Sequence, residues 1–382
     1  MASISGVALS KTNIFRKDGT RMKRIVSLML AVALILIALP IYGIALGSLN
    51  TSDFGADMRV VAVINAKIQS IGANITVSNI KTLHDFAGNV YKLAECSPEG
   101  YFIIHPESGV MVEYSRTGES PYADKIGELF YLGPTYYYSK INNKYVHTEI
   151  DEEIGIQDAN ELIIECQEAN DALLLKPQTD IVSYLSGETN TLNGSVYDTQ
   201  SAITFWVNGH TYFRNLNNNF GYMNGNCCGY IAANLILKYY DNRGKIDLPS
   251  SYMTSHTALT DALLDYNPLS SNESDGYVIA DVIDEFCRDN GLPQRGSAAL
   301  GISGVTSEIE NNKRPCIIFG GFYSSFDPVG AHAVTAYGYN NFENEGWDTF
   351  IVHFGHNNRP EVHICGDDIL YGSNTKYLLS NN

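Results

Sequence analysis

The sequence predicts an α+β fold, and three observations carry that expectation. An apolar run at residues 227–240, CCGYIAANLILKYY, has the length and composition of a buried helix. The second half of the chain presents helical patterns first and β-type runs after, with no strand–helix–strand alternation. The first half holds short β-type runs separated by turn residues, the pattern of an antiparallel meander.

The chain has 382 residues, enough for one large domain or two ordinary ones. An apolar fraction of 45% and an aromatic fraction of 11% are those of a globular protein and exclude a disordered or fibrous chain. The formal net charge is −17, and a cluster of basic residues sits near the N-terminus, so the body is more acidic still. Such a surface repels nucleic acid and anionic lipid. Seven scattered cysteines without a CxxC pair point away from a disulfide framework and from structural zinc.

Residues 16–24, RKDGTRMKR, are basic, and residues 25–46 carry no charge. A basic region before a hydrophobic core reads as a signal peptide, with Gly43-Ile44-Ala45 as a small-x-small cleavage site and Met22 as an alternative start. The core is also long enough to serve as an uncleaved membrane anchor. Either route exports the rest of the chain, which would meet a membrane only through this segment.

Residues 58–72, MRVVAVINAKIQSIG, are amphipathic at helical spacing. NVYKLAEC, GYFIIHP and VMVEYS follow, joined by SPEG and ESG, and ANELIIECQEANDALLL at 159–175 is helical and acidic. Residues 184–200 are rich in Ser, Thr, Asn and Gly and lack an apolar period, which marks a linker. The expected organisation is therefore a segment 1–50, a small α+β module 51–183, a linker 184–200 and a second module 201–382. In the last, GYVIADVIDEFCRDNG and SGVTSEIENN are helical, and PCIIFGGF, HAVTAYGYN, DTFIVHFG and EVHICG are β-type.

Two adjacent cysteines, Cys227 and Cys228, stand at the mouth of the apolar helix. A thiol in a helix's first turn feels the positive end of the macrodipole and unpaired N–H groups, both of which favour the nucleophilic thiolate. Gly229, Ala232 and Ala233 leave room for another backbone to approach. The alternative is two buried structural cysteines. A nucleophile needs a base from elsewhere in the fold. His332 begins the run HAVTAYGYN behind a glycine-marked loop, and is the candidate. His353, His356 and His363 raise the alternative of zinc, but positions 353 and 356 on one strand point to opposite faces and no HExxH helix is present. Neither a metal nor an organic cofactor is called for.

NCCGYIAANLILKYYD resembles the nucleophile helix of papain-fold bacterial cysteine peptidases of the streptopain and bacteriocin-leader-processing types. There a Lys or Arg followed by Tyr falls ten and eleven positions after the nucleophile, and counting back from Lys238-Tyr239 gives Cys228. GAHAVTAYGYN resembles the strand that carries the base, which gives His332, and FIVHFGHN resembles the strand after it. The resemblance covers roughly residues 200–382, and the hairpins at 89–115 are similar to the pro-region of streptopain-type zymogens. It implies a central nucleophile helix packed on an antiparallel sheet, preceded by a small α+β pro-domain. Two positions depart from the pattern. The oxyanion-binding glutamine is replaced by Tyr222, leaving Asn224 or Asn226 for that role, and the orienting asparagine is replaced by His353, with Asn357 as the other candidate.

The resulting expectation is an exported cysteine peptidase made as a zymogen. Cys228 and His332 form its thiolate–imidazolium pair, a protein or peptide is its substrate, and its own pro-region is an intramolecular inhibitor. An amidase or transpeptidase acting on cell-wall peptide, and an inactive peptidase-like surface protein that binds peptides, are the alternatives.

Overall fold

The computed structural model describes residues 54–149, 153–175, 180–188, 202–221, 227–268, 275–292, 295–302, 304–321, 331–342, 347–356, 359–366 and 370–378. The basic and hydrophobic N-terminal segment, Tyr222, Asn224, Asn226 and Asn357, and most of the expected linker lie outside them.

Helix α1 (Phe54–Ser70) buries Val60, Val63, Ile64 and Ile68, a single apolar stripe. A meander follows: β1 (Thr76–His84), β2 (Val90–Ser97), β3 (Tyr101–His105) and β4 (Val110–Ser115), each antiparallel to the last. Every position of β3 is buried. Tyr101 and Ile103 enter one hydrophobic cluster, Phe102 and Ile104 another. Side chains alternate along a strand, so an unbroken apolar run is what a sheet covered on both faces demands. β5 (Leu129–Tyr131) runs parallel to β1, and β6 (Tyr137–Ile141), β7 (Lys144–His147) and β8 (Glu153–Gly155) extend the edge.

Helices α2 (Ile156–Glu161), α3 (Ile163–Leu174) and α4 (Asp180–Ser186) close this half. α4 runs into the expected linker. Ile181 and Leu185, spaced i, i+4, pack into the same cluster as α1, a pair hidden in a Ser- and Gly-rich stretch.

The second half contains β9 (Ala202–Trp206), α5 (Thr211–Arg214), α6 (Cys228–Asn242), α7 (Ala258–Leu264), α8 (Gly276–Asp289), β10 (Arg295–Leu300), α9 (Val305–Glu310), β11 (Cys316–Gly321), β12 (Ala331–Phe342), β13 (Trp347–His353), β14 (Val362–Cys365) and β15 (Leu370–Leu378). The four β-type runs expected from the sequence are β11 to β14. Composition hid β15, LYGSNTKYL, because Gly, Ser and Asn read as turn residues. It is nevertheless an interior strand between β10 and β11. Two of its polar side chains bond to backbone carbonyls far off in sequence: Asn374 Nδ2 donates to Gly301 O at 2.7 Å and Thr375 Oγ1 to Gly276 O at 2.5 Å.

All of these strands form one mixed sheet, and the two halves of the chain meet in it where β4 pairs antiparallel with β14, Tyr114 opposite His363 and Glu113 opposite Ile364. The larger hydrophobic cluster likewise runs across the halves, from Leu83 to Tyr377. No helix among the described residues is long and apolar enough to cross a membrane.

Candidate active site

Helix α6 is buried from Gly229 through Tyr240, so its axis is fixed from all sides, and Cys228 at its start is partly exposed. The Lys238-Tyr239 pair anchors it. Lys238 Nζ donates to Ser255 O at 2.9 Å, Tyr239 OH to Asn208 O at 2.5 Å, and Asn234 Nδ2 to His256 O and Thr260 Oγ1, both at 2.8 Å. Cys227 is the N-cap and is buried, whereas Cys228 is the first helical residue and is partly exposed.

Strand β12 runs alongside this helix. The backbone N–H of Ala333 lies close enough to the Cys228 sulfur to favour its thiolate, and two residues on, Thr335 Oγ1 reaches Ala232 O at 3.4 Å. Four helical residues and two strand residues each advance about 6 Å, so these contacts are successive points of one seam. His332, adjacent to Ala333 in the chain, is thereby held beside the first turn of α6. It is partly exposed and lies edge-on to two aromatic rings, Tyr136 with centroids 6.3 Å apart and Phe354 at 6.5 Å.

Burial pushes the Cys228 thiol up to about 11, against the opposing pull of the Ala333, Gly229 and Cys228 N–H groups. Burial also lowers His332 to about 4, helped by the nearby imidazole of His147. With the groups so displaced, Cys228 is a thiol and His332 a neutral imidazole near pH 7.

The cover over His332 comes from the N-terminal half. Between β5 and β6 the chain turns tightly: Leu132 N–H donates to Tyr136 O and Tyr136 N–H to Gly133 O, both at 3.0 Å. Thr135 stands at φ +76°, a costly conformation for a β-branched residue. His147 holds it there. Its Nε2–H donates to Thr135 O at 2.7 Å, and its Nδ1 accepts from Glu149 N–H at 3.1 Å. Glu149 in turn pairs with Arg359, a buried guanidinium that also donates to Glu119 O at 2.6 Å and stacks over Tyr101.

His353, expected to orient His332, uses both ring nitrogens elsewhere. Nδ1 accepts from Gly355 N–H at 2.7 Å, so Nε2 carries the proton and donates to Leu216 O at 2.8 Å. Its ring ties β13 to the segment after α5 and leaves neither nitrogen for His332. His363 belongs to the sheet seam: its Nε2 lies 3.2 Å from Glu361, which also binds Arg116 Nε at 2.7 Å and pairs with Arg214. Burial works to raise Glu361, but His363 and Arg116 prevail and hold it down at about 2.

Sequence reasoning passed over Tyr136 and His147, and weighed His356 only as a metal ligand. The Gly133-Pro134-Thr135 stretch signals a tight turn, but nothing in the sequence says what that turn would cover.

No protein-family model and no curated protein matches this sequence. Among solved structures, a fragment of prointerpain A from Prevotella intermedia, carrying a cysteine-to-alanine mutation, is weakly similar, with a TM-score of 0.35 and 8% identity over 80% of this chain and 99% of that one.

Proposed function

We propose that the chain is an exported cysteine peptidase of papain-like fold, captured in its covered, latent form. The observation that carries this reading is the packing of β12, the strand that bears His332, against the buried helix α6, where Thr335 Oγ1 meets Ala232 O at 3.4 Å. Residues 51–183 act as the pro-region, residues 201–382 as the peptidase, and residues 1–50 direct export.

In the working state His332 takes the thiol proton and the Cys228 thiolate attacks a peptide carbonyl. The developing oxyanion is met by the Cys228 N–H at the helix start and by an amide of Asn224 or Asn226. His332 then gives its proton to the leaving amine, and water hydrolyses the thioester. In the latent state the neutral thiol is a poor nucleophile, and the Tyr136 turn lies where it would exclude water and substrate from His332.

Cys228→Ala should abolish hydrolysis of casein and peptides while leaving the fold intact. Intact-mass measurement with and without an E-64-type thiol reagent should put a single adduct on Cys228. Full activity in Cys228→Ala, or labelling only at other thiols, overturns the assignment. Release of wall-peptide fragments with casein untouched would instead favour an amidase or transpeptidase.

A further inference from the structure

With both nitrogens of His353 bound to backbone groups, the position that the sequence offers for orienting His332 is occupied. The chain just beyond it offers another. After β13, Gly355 turns at φ +83° and presses on helix α6: a Cβ there would fall 2.2 Å from Ile231 Cγ2. Ile231 lies three residues after Cys228, on the same face of the helix. The turn is also held by Phe220 N–H donating to Gly355 O at 3.0 Å and Phe354 N–H to Arg359 O at 3.1 Å. The turn thus brings its two flanking side chains close to His332. Phe354 is one, edge-on to His332. His356 is the other.

The His356 side chain is 4% exposed, and its Nδ1 is buried with no hydrogen-bond partner among the described residues. A buried ring nitrogen in that condition is costly unless it has a use. Four charged or titratable groups lie close enough to weigh on its protonation: His332 most strongly, then His353, Arg359 and His147. They come from β12, β13, the segment after the turn, and β7. Burial first, then the imidazole of His332, keeps the ring neutral. A neutral imidazole with a bare nitrogen is an acceptor, which is what an imidazole that must donate one N–H and keep the other nitrogen for a thiol requires.

We propose that His356 is the positioning residue of His332, its Nδ1 receiving the His332 N–H when the pair works and so fixing the tautomer and tilt of the base. The assignment rests on the Cys228–His332 reading. It gives the third role to a residue three positions after the one the sequence suggested.

The test is the rate of iodoacetamide alkylation of Cys228, read by peptide mapping between about pH 4 and pH 10. It uses the full chain and its Tyr136→Ala form, each with His356→Ala, His356→Asn and His353→Ala. His356→Ala should slow alkylation about 100-fold near neutral pH, the scale of a misplaced reacting group. The loss should vanish at the alkaline end, where the thiolate forms without a base. His356→Asn, which keeps an acceptor, should recover to within about tenfold of the parent. His353→Ala should lower the melting temperature and slow alkylation equally at every pH. A parental profile in which His356→Ala changes nothing, or a folded His356→Asn no faster than His356→Ala, overturns the role of His356 and leaves the dyad standing. A Tyr136→Ala chain with no acid limb in its profile, the limb that reports His332, sinks the dyad and this role with it.

Discussion

Tyr136 stands edge-on to His332, ring centroids 6.3 Å apart, although one residue belongs to the first half of the chain and the other to the second. The tyrosine takes the place of water beside the imidazole, and loss of water is the first cause of the depressed His332 and the raised Cys228. Tyr136→Ala should therefore bring both groups back toward ordinary values. Iodoacetamide labelling of Cys228 at neutral pH should accelerate about tenfold, the equivalent of about 1.4 kcal/mol. An unchanged rate in a folded variant would remove Tyr136 from the cover.

Stability should fall on acidification. Burial holds His147, His353 and His363 at about 4 and His356 at about 3, against an ordinary 6.5, so between these values the unfolded chain binds more protons. Glu113 works the other way. Burial raises it to about 7 despite three tyrosine donors, so between 4.5 and 7 the folded chain holds the extra proton. The lowered histidines, His332 at about 4 among them, outweigh Glu113, Asp85 and Asp284, the carboxyls that burial raises. Between about pH 6.5 and pH 4.5 unfolding free energy should drop by on the order of 1 kcal/mol per pH unit or more, read from urea melts. A flat or rising profile would contradict the buried neutral histidines.

Arg359 is 2% exposed and bridges Glu149, the Glu119 carbonyl and the Tyr101 ring. Arg359→Leu should destabilise the chain by about 3 kcal/mol in chemical denaturation, because it strands a partly buried carboxylate. The Thr135 turn, tied through His147 to Glu149, should become more sensitive to proteases in the same variant. Wild-type stability would mean that the ion pair is dispensable.

Cutting the chain in residues 189–200 should not by itself separate the halves. β4 and β14 remain paired, Ser115 Oγ still donates to Glu361 O at 2.7 Å, and the common hydrophobic cluster is intact. A protease site engineered there should yield two fragments that co-elute in size-exclusion chromatography and part only in denaturant. Separation on cutting alone would show that the seam is weak.

The residues that organise the second half were legible because they obey strong local rules. The all-apolar run after Cys228 can only be a central helix, and Gly-rich punctuation around β11, β12 and β13 marks strands. The β-type runs of 89–115, which are β2 to β4, were legible for the same reason, whereas β1 was not expected. What escaped depends on tertiary partners. β15 pairs through its backbone and hides behind Gly, Ser and Asn; α4 is helical because α1 offers Ile181 and Leu185 a surface. The hydrogen bonds of His353 escaped because Leu216 and Gly355, distant or trivial in sequence, claim its nitrogens only in the folded chain. His356 was weighed only as a metal ligand, since burial of one ring nitrogen has no sequence signature.

The pairing of β14 with β4 has a consequence for any form of the protein that loses its first half altogether. β14 would then become an outer strand with a row of bare N–H and C=O groups, flanked by Ile364 and His363, which are now buried. Such a margin is a template for another strand. A fragment stripped down to residues 201–382 should accordingly dimerise edge to edge or precipitate, unless β14 folds away.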